Sequence, residues 1–266
     1  LGALSRRLDR PELLAAFYAG ARREQHEETA IAAIVASTLR RDACYVDVGT
    51  NRGQLLRQAL HIAPQGRHLA FEPIPSLAAE IERELPAVEC RRLALSAQPG
   101  RAQFCHFRDL DGFSGLRRRP EISDSRGRPE LIDVQVSTLD AETEGITPSV
   151  VKIDVEGAEL DVLRGGRSLL ARAGPLLIFE HVASAATLYE ASSADIWDLL
   201  SALDYEIYSV IGEGPFNRAD FQASMGVVNW VARPARHTVA AAGAAPQGRG
   251  AAHEPGRAER SSAGER

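Results

Sequence analysis

Lys152, Asp154, Glu156 and Glu159 stand two and three residues apart in the run Val150-Val151-Lys152-Ile153-Asp154-Val155-Glu156-Gly157-Ala158-Glu159. The β-branched residues at its head predict a strand buried on both faces. Glu156-Gly157 then predicts a turn into a helix. Ligands of open parallel α/β sheets bind just beyond the carboxyl ends of the strands, so this carboxylate cluster is placed to do chemistry. Lys152 is the sole lysine of a chain with 31 Lys and Arg. So strong an arginine bias marks a position that needs a compact ammonium. Acids in the first turn of a helix also stabilise it through the macrodipole, by roughly 0.3–1 kcal/mol each, which alone would account for Glu156 and Glu159. Asp154 is different, because an acid closing an apolar run is costly without a partner or a cleft.

The elements that must position these residues follow a β–turn–α rhythm. Cys44–Val48 reads as the first strand, running through Asp47 into Gly49-Thr50-Asn51-Arg52-Gly53 and a helix with Leu55, Leu56, Ala59 and Leu60. A strand, a glycine turn and a helix N-terminus offer backbone N–H groups to polar or anionic ligand groups. The spacing is G-x-x-x-G, not the G-x-G-x-x-G of dinucleotide enzymes. The second strand, Arg67–Phe71, ends in Glu72-Pro73. Its acid follows Asp47 at about the distance at which α/β nucleotide sites place a carboxylate on ribose hydroxyls. Together these features point to an adenosine-containing ligand.

Elsewhere the patterns are plainer. Residues 11–40 carry two helical patterns, one on Leu13, Leu14 and Phe17 and one on Ile31, Ile34, Val35 and Leu39. Between them Arg22–Glu28 reads as a solvated face or loop. Val88–Leu93 is the third strand, leading to Ala94-Leu95-Ser96, and Ala102–Phe107 reads as a hairpin appended to the sheet. Residues 108–130 are rich in arginine (Arg117, Arg118, Arg119, Arg126, Arg128), either a solvated run or a lid that meets an acidic group. Ile132–Val136 is followed by Ser137-Thr138-Leu139-Asp140, and Leu176–Phe179 ends in Glu180-His181. A histidine there is either an ordinary hydrogen-bonded residue or part of a site. Tyr205–Ile211 and Val227–Ala232 close the chain as a strand pair joined by a long loop.

Composition sets outer limits. With 44% hydrophobic and 25% charged residues among 266, the chain can build one good core. A net charge of -5 gives no electrostatic case for nucleic acid or a membrane surface. No apolar run is long enough for a membrane span. Cys44, Cys90 and Cys105 are far apart and lack metal-ligand spacing, which predicts free thiols in a reducing, cytoplasmic compartment and no structural zinc. The sequence starts at Leu1 without methionine or a signal-peptide core, so the natural N-terminus is expected upstream. From about Ala235 the Ala, Gly, Pro and Arg composition predicts a disordered tail.

In order along residues 40–185, Val46-Asp47-Val48-Gly49-Thr50-Asn51-Arg52-Gly53, Phe71-Glu72-Pro73, Ala94-Leu95-Ser96, Ser137-Thr138-Leu139-Asp140 and Val151–Glu159 resemble the FkbM-type S-adenosylmethionine-dependent methyltransferases. The Lys-Ile-Asp-Val-Glu-Gly-Ala-Glu run is the most specific part. Thr50 and Arg52 depart from residues common in the family but leave both glycines in place. The resemblance implies an α/β, class I methyltransferase (Rossmann-like) fold, with a seven-stranded, mostly parallel sheet, helices on both faces and an antiparallel last strand. It divides the chain into N-terminal helices (1–40), a methyltransferase domain (41–234) and the tail (235–266). It implies O-methylation of a hydroxyl on a sugar, glycan or natural product, with S-adenosyl-L-methionine as cofactor.

On this reading the first and fourth strands are neighbours, and their loops face one crevice. Asp47, Gly49, Thr50, Asn51 and Gly53 go to the methionine end of the cofactor, Glu72 to the ribose and Ala94 to the adenine wall. Asp154 and Glu156, with Glu180 and His181, are the candidates for acceptor binding or general base. Asp154, Glu156 and Glu180 are also hard ligands, but their spacing is not diagnostic of a metal, and none is assigned. The alternatives are a nicotinamide-dependent oxidoreductase on a Rossmann sheet and a non-catalytic partner subunit that binds the cofactor.

Overall fold

The computed structural model describes residues 11–120, 128–224 and 226–235. The predicted tail beyond Ala235 and Arg126 lie outside the described residues, as do the side chains of Leu13, Leu14, Phe17, Arg22 and Glu24. Among the described residues no helix is long and apolar enough to cross a membrane.

Strand-forming runs alternate with amphipathic helices, and the strands assemble into two sheets. In chain order they are β1 (Cys44–Val48), β2 (His68–Phe71), β3 (Val88–Arg91), β4 (Ala94–Leu95), β5 (Gly100–His106), β6 (Glu130–Ser137), β7 (Pro148–Ile153), β8 (Leu176–Glu180), β9 (Tyr205–Ser209) and β10 (Asn229–Pro234). The main sheet runs β3-β2-β1-β7-β8-β10-β9. Its ladders from β3 to β8 are parallel. β10 is antiparallel to both neighbours, so the last strand is reversed as the resemblance implies.

Every residue of β1 is buried, as a strand at the centre of a doubly covered sheet must be. Strand alternation sends Val46, Val48, Val151, Ile153 and Phe179 into one apolar layer. Tyr45, Val150 and Ile178 point into the other, with Ile31 and Val35 of the N-terminal helix.

Two expectations are corrected. The two N-terminal helical patterns are one helix, Pro11–Thr38. Arg22–Glu28 holds no breaker, and its residues favour helix, with Arg23 pairing one turn on to Glu27 at 3.3 Å. A run of charges marks solvation rather than a break in the backbone. The strand at 102–107 is not appended to the main sheet either. β5 pairs antiparallel with β6, which pairs with β4, in a separate three-stranded sheet. Phe104 and Val134 anchor that sheet on Ile74, Leu77 and Ala94. The hairpin connection is the long arginine-rich stretch, too far for local turn signals to pair the strands.

The join between β1 and β7 fixes the end of the sheet where the sequence places its acids. Asp47 is register partner of Lys152 and Val48 of Ile153, and Asp154 N–H continues the ladder to the Val48 carbonyl at 2.9 Å. Just beyond, the chain turns at Gly49 with φ +77°. A Cβ there would lie 1.8 Å from the Asp154 carbonyl oxygen. Only glycine combines that φ with that approach. Gly49→Ala is expected to destabilise the fold by about 3 kcal/mol or more, read as the urea midpoint. Gly100→Ala, where a Cβ meets nothing within 4 Å, serves as control and should stay within about 0.5 kcal/mol. Equal midpoints for the two variants would refute the close approach.

Candidate active site

A cleft of about 750 Å³, partly open to solvent, lies across the carboxyl ends of β1, β2, β7 and β8. Gly49 and Asn51 line one end, Glu72, Ile74 and Ala94 the next stretch, and Asp154, Glu156 and Glu180 the other side. Asp111, Gly112, Ser114 and Leu116, from the segment between β5 and β6, close the remaining wall. The mix of apolar lining with a few convergent polar groups suits a small organic ligand.

The sequence candidates divide here. Gly49, Asn51, Glu72, Ala94, Asp154, Glu156 and Glu180 all reach the cleft wall, whereas Asp47, Thr50, Gly53 and His181 do not. Asp47 is buried beneath the wall, with Lys152 Nζ 3.9 Å from its Oδ1. Thr50 donates its hydroxyl to the Asp47 carbonyl at 3.0 Å. Gly53, at φ +69°, supports the start of the helix Gln54–Ile62. His181 turns into the core, its Nε2 2.8 Å from Ser193 Oγ and its ring stacked on Phe221. Burial lowers it to about 4, so it is neutral at physiological pH.

The glycine loop differs from the expected cradle of free N–H groups. Gly49 and Thr50 N–H both donate to the Phe71 carbonyl, at 3.0 and 3.3 Å, and Gly53 N–H to the Thr50 carbonyl. Asn51 N–H donates to Glu72 Oε2 at 2.8 Å. These donors are spent inside the protein, and the loop is a rigid turn tied to β2. Glu72 accepts a second backbone donor, Ile74 N–H, on Oε1 at 2.9 Å. Each oxygen is thus fixed by one bond and keeps acceptor capacity on a carboxylate at the cleft wall.

The acids on the opposite side come with cations. Lys152 Nζ lies 2.9 Å from Asp154 Oδ2. Arg119, buried, is ion-paired with Glu156, whose backbone sits at φ +59°. Asp154, Glu156 and Glu180 bring oxygens within 4.8 Å of one another. The ammonium and the guanidinium already hold the cationic positions beside them, and we assign no metal to the cluster. Glu159 accepts from Gly157 N–H at 2.9 Å and Val155 N–H at 3.3 Å. It fastens the turn after β7, which is the bland reading of a first-turn acid.

Burial governs ionisation here. It pushes Glu72 up to about 7 against the pull of its backbone donors, and Asp47 up to about 6 against Lys152. It drives Glu156 to about 8, reinforced by the charge of Asp154 and opposed by Arg119. Asp154 and Glu180 share one environment. Burial and the charge of Asp154 hold Glu180 far above the carboxylate range. Asp154, about a third exposed toward the cleft, is held below it by Lys152 and a hydrogen bond with Glu180. The shared proton therefore rests on Glu180.

Arg119, Arg52 and Asp111 were missing from the sequence candidates. Arg52 Nη2 reaches Asp111 Oδ2 at 2.9 Å, tying the glycine loop to the segment between β5 and β6. The alternation of an arginine run cannot say which guanidinium turns inward, and Arg119 had no other signal.

The order of the main sheet, its reversed last strand and a cleft between the first and fourth parallel strands define a class I methyltransferase fold. The model of the Methyltransferase FkbM domain matches residues 47–207, and the chain belongs to that family. It is 31% identical to 2-O-methyltransferase NoeI of Sinorhizobium fredii, over 49% of this chain and 60% of that protein. It is 29% identical to methyltransferase sdnD of Sordaria araneosa, over 45% of this chain and 59% of that one. The chain thus spans about three-fifths of the relatives it matches. Methyltransferase FkbM from Methylobacillus flagellatus is a structural neighbour at 17% identity and TM-score 0.44, covering 73% of this chain and 44% of its own.

Glu72 gives the site a pH signature. Its carboxyl rises from 4.5 to about 7 on folding, so between these values the fold keeps a proton that the unfolded chain has released. This stabilisation is full below about pH 4.5 and is lost as pH rises through about 7. The ligand-free protein should lose about 2–3 kcal/mol through this group between pH 5 and 8. Glu72→Gln, which cannot ionise, should flatten that decline in urea denaturation at pH 5, 6.5 and 8. A variant that declines as steeply as wild type removes Glu72 as its source.

Proposed function

We propose that this chain is an S-adenosylmethionine-dependent O-methyltransferase acting on a hydroxyl of a sugar, glycan or natural product in the cytoplasm. The observation that carries the reading is the convergence of the Gly49–Glu72 wall and the Asp154–Glu180 carboxyl pair on one cleft. Family membership and the similarity to the 2-O-methyltransferase NoeI support the reaction type. The spent donors of the glycine loop weigh against a nicotinamide dinucleotide, whose pyrophosphate requires such donors free.

The cleft suits the cofactor in its own terms. Glu72, doubly fixed, has acceptor sites left for the ribose hydroxyls. Ile74, Leu77, Ala94 and Leu95 make an apolar slot for adenine, and Gly49 and Asn51 border the methionine end. When bound, S-adenosylmethionine would supply a methyl group on a positively charged sulfur, with the C–S bond breaking as the C–O bond forms and a neutral thioether as the leaving group.

The protein's tasks are then to aim the acceptor oxygen and to take its proton. Orientation of this kind supplies roughly 7–11 kcal/mol of a barrier. Asp154, ionised, receives the hydroxyl proton, adding about 10²–10⁴-fold. Glu180, protonated, donates toward Asp154 and fixes its orientation, while Glu156, held by Arg119, accepts from a second hydroxyl. His181 has a structural role.

Asp154→Asn is expected to lower kcat about 10²-fold or more with cofactor Kd nearly unchanged. Glu72→Ala should do the reverse, weakening cofactor binding about tenfold or more. Calorimetric titration beside turnover on a sugar and natural-product panel separates the two, and equal losses in both quantities contradict the roles. His181→Gln should keep kcat within about threefold while lowering stability by about 1–3 kcal/mol. A large loss of kcat in a well-folded His181→Gln protein returns the histidine to the chemistry.

A further inference from the structure

Lys152 lies under the cleft floor and not on its wall. It shares one face of the sheet with the groups it serves, because residues two apart on a strand point the same way. Asp47 is its register partner on β1 and Ile178 its partner on β8. Its Nζ stands 2.9 Å from Asp154 Oδ2 and 3.9 Å from Asp47 Oδ1, with 18% of the side chain exposed. Asp47 Oδ1 has no hydrogen-bond partner among the described residues, so the ammonium is its counter-charge by proximity alone. A chain whose other Lys and Arg positions are all arginine keeps lysine here, a compact ammonium beside two carboxylates.

We propose that Lys152 is a positioning residue for methyl transfer, holding the Asp154 carboxylate charged and aimed at the acceptor without touching the acceptor itself. The proposal rests on the reading of Asp154 as the base. Of the charged and titratable groups facing the pair among the described residues, Asp47 and Tyr45 come from β1, Glu180 from β8, and Glu156 and Glu159 from the turn after β7. Glu27 of the long N-terminal helix is taken up by Asn229 at 2.8 Å and by Arg23. Lys152 Nζ is in direct contact with Asp154 Oδ2, and Arg119 is ion-paired with Glu156. Removing Lys152 raises the affinity of Asp154 for a proton, so the acidic limb of the kcat–pH profile should move to higher pH and activity should recover in part on the alkaline side. A purely structural lysine would not produce that recovery.

The experiment compares wild type, Lys152→Met, Lys152→Arg and Asp154→Asn. Lys152→Met is expected to lose about 10²-fold in kcat at pH 7, with acceptor KM and cofactor Kd within about threefold, and Lys152→Arg to regain part of it. Because the chain has a single lysine, ¹⁵N-lysine labelling reports its Nζ without assignment, in protein free of cofactor and substrate. The resonance should be a slowly exchanging ammonium at neutral pH in wild type and lose protection in Asp154→Asn. That measurement decides the pairing even if Lys152→Met fails to fold. An Nζ that exchanges like a free lysine overturns the proposal. So does a Lys152→Met enzyme within threefold of wild-type kcat while Asp154→Asn is crippled, which leaves the base intact. Full activity in Asp154→Asn sinks the base reading instead, and the proposal with it.

Discussion

Carboxylates buried beyond the ends of a sheet lose their water, and each must find compensation inside the protein or give up its charge. The cleft end of this fold is arranged by that constraint. Asp154 has the Lys152 ammonium, Glu156 the Arg119 guanidinium, and Glu72 and Glu159 pairs of backbone N–H groups. Glu180 has no ion-pair partner among the described residues, and burial beside the Asp154 charge keeps it protonated. The outcome is a row of groups with different charge states on adjacent strands, one ionised carboxylate beside one neutral acid. Such a difference between neighbours is what proton transfer requires, since two like carboxylates at that distance cannot both ionise at equal cost.

The glycine turn follows from the same crowding. Gly49 has no side chain because the Asp154 carbonyl occupies the place of its Cβ, and that approach brings the two loops to opposite lips of one cleft. With the N–H groups of Gly49, Thr50 and Asn51 bound to Phe71 and Glu72, the turn is firmly tied to the second strand. A phosphate site needs the opposite, donors left open and a dipole uncovered. A cationic sulfonium beside Asp154 and Glu180 needs no anion cradle.

Much of this was legible in the residues. The apolar run to Asp154, the glycine turn and the strand-end Glu72 each announced a place on the sheet, because strand periodicity and strand-end position are local properties. The antiparallel last strand and the neighbouring of β1 and β7 came from the resemblance, since pairing order is not local. Three kinds of information were hidden. Whether Arg22–Glu28 breaks a helix is not written in its charge. The partner of β5 lies across a long excursion, so no turn signal joined it to β6. The direction of a side chain at a strand end was also hidden, and His181 shows the cost. It follows Glu180 directly, and the strand's alternation sends the two to opposite faces, one to the cleft and one to Phe221.

The segment between β5 and β6 shows why contact alone is a poor measure of what holds the cleft shut. It is fastened to the glycine loop by Arg52 and Asp111 and to the turn after β7 by Arg119 and Glu156. Arg52 is 62% exposed, and an ion pair so open to water contributes about 0–1 kcal/mol and is screened by salt. Arg119 and Glu156 are 9% and 14% exposed. Both side chains there are largely withdrawn from water, so truncating either disturbs the wall more than truncating Arg52 does. The two fastenings look alike as distances, yet the wall over the acids is held by desolvation and the wall over the glycine loop is not. The side of the cleft beside Glu156 is accordingly the more firmly held.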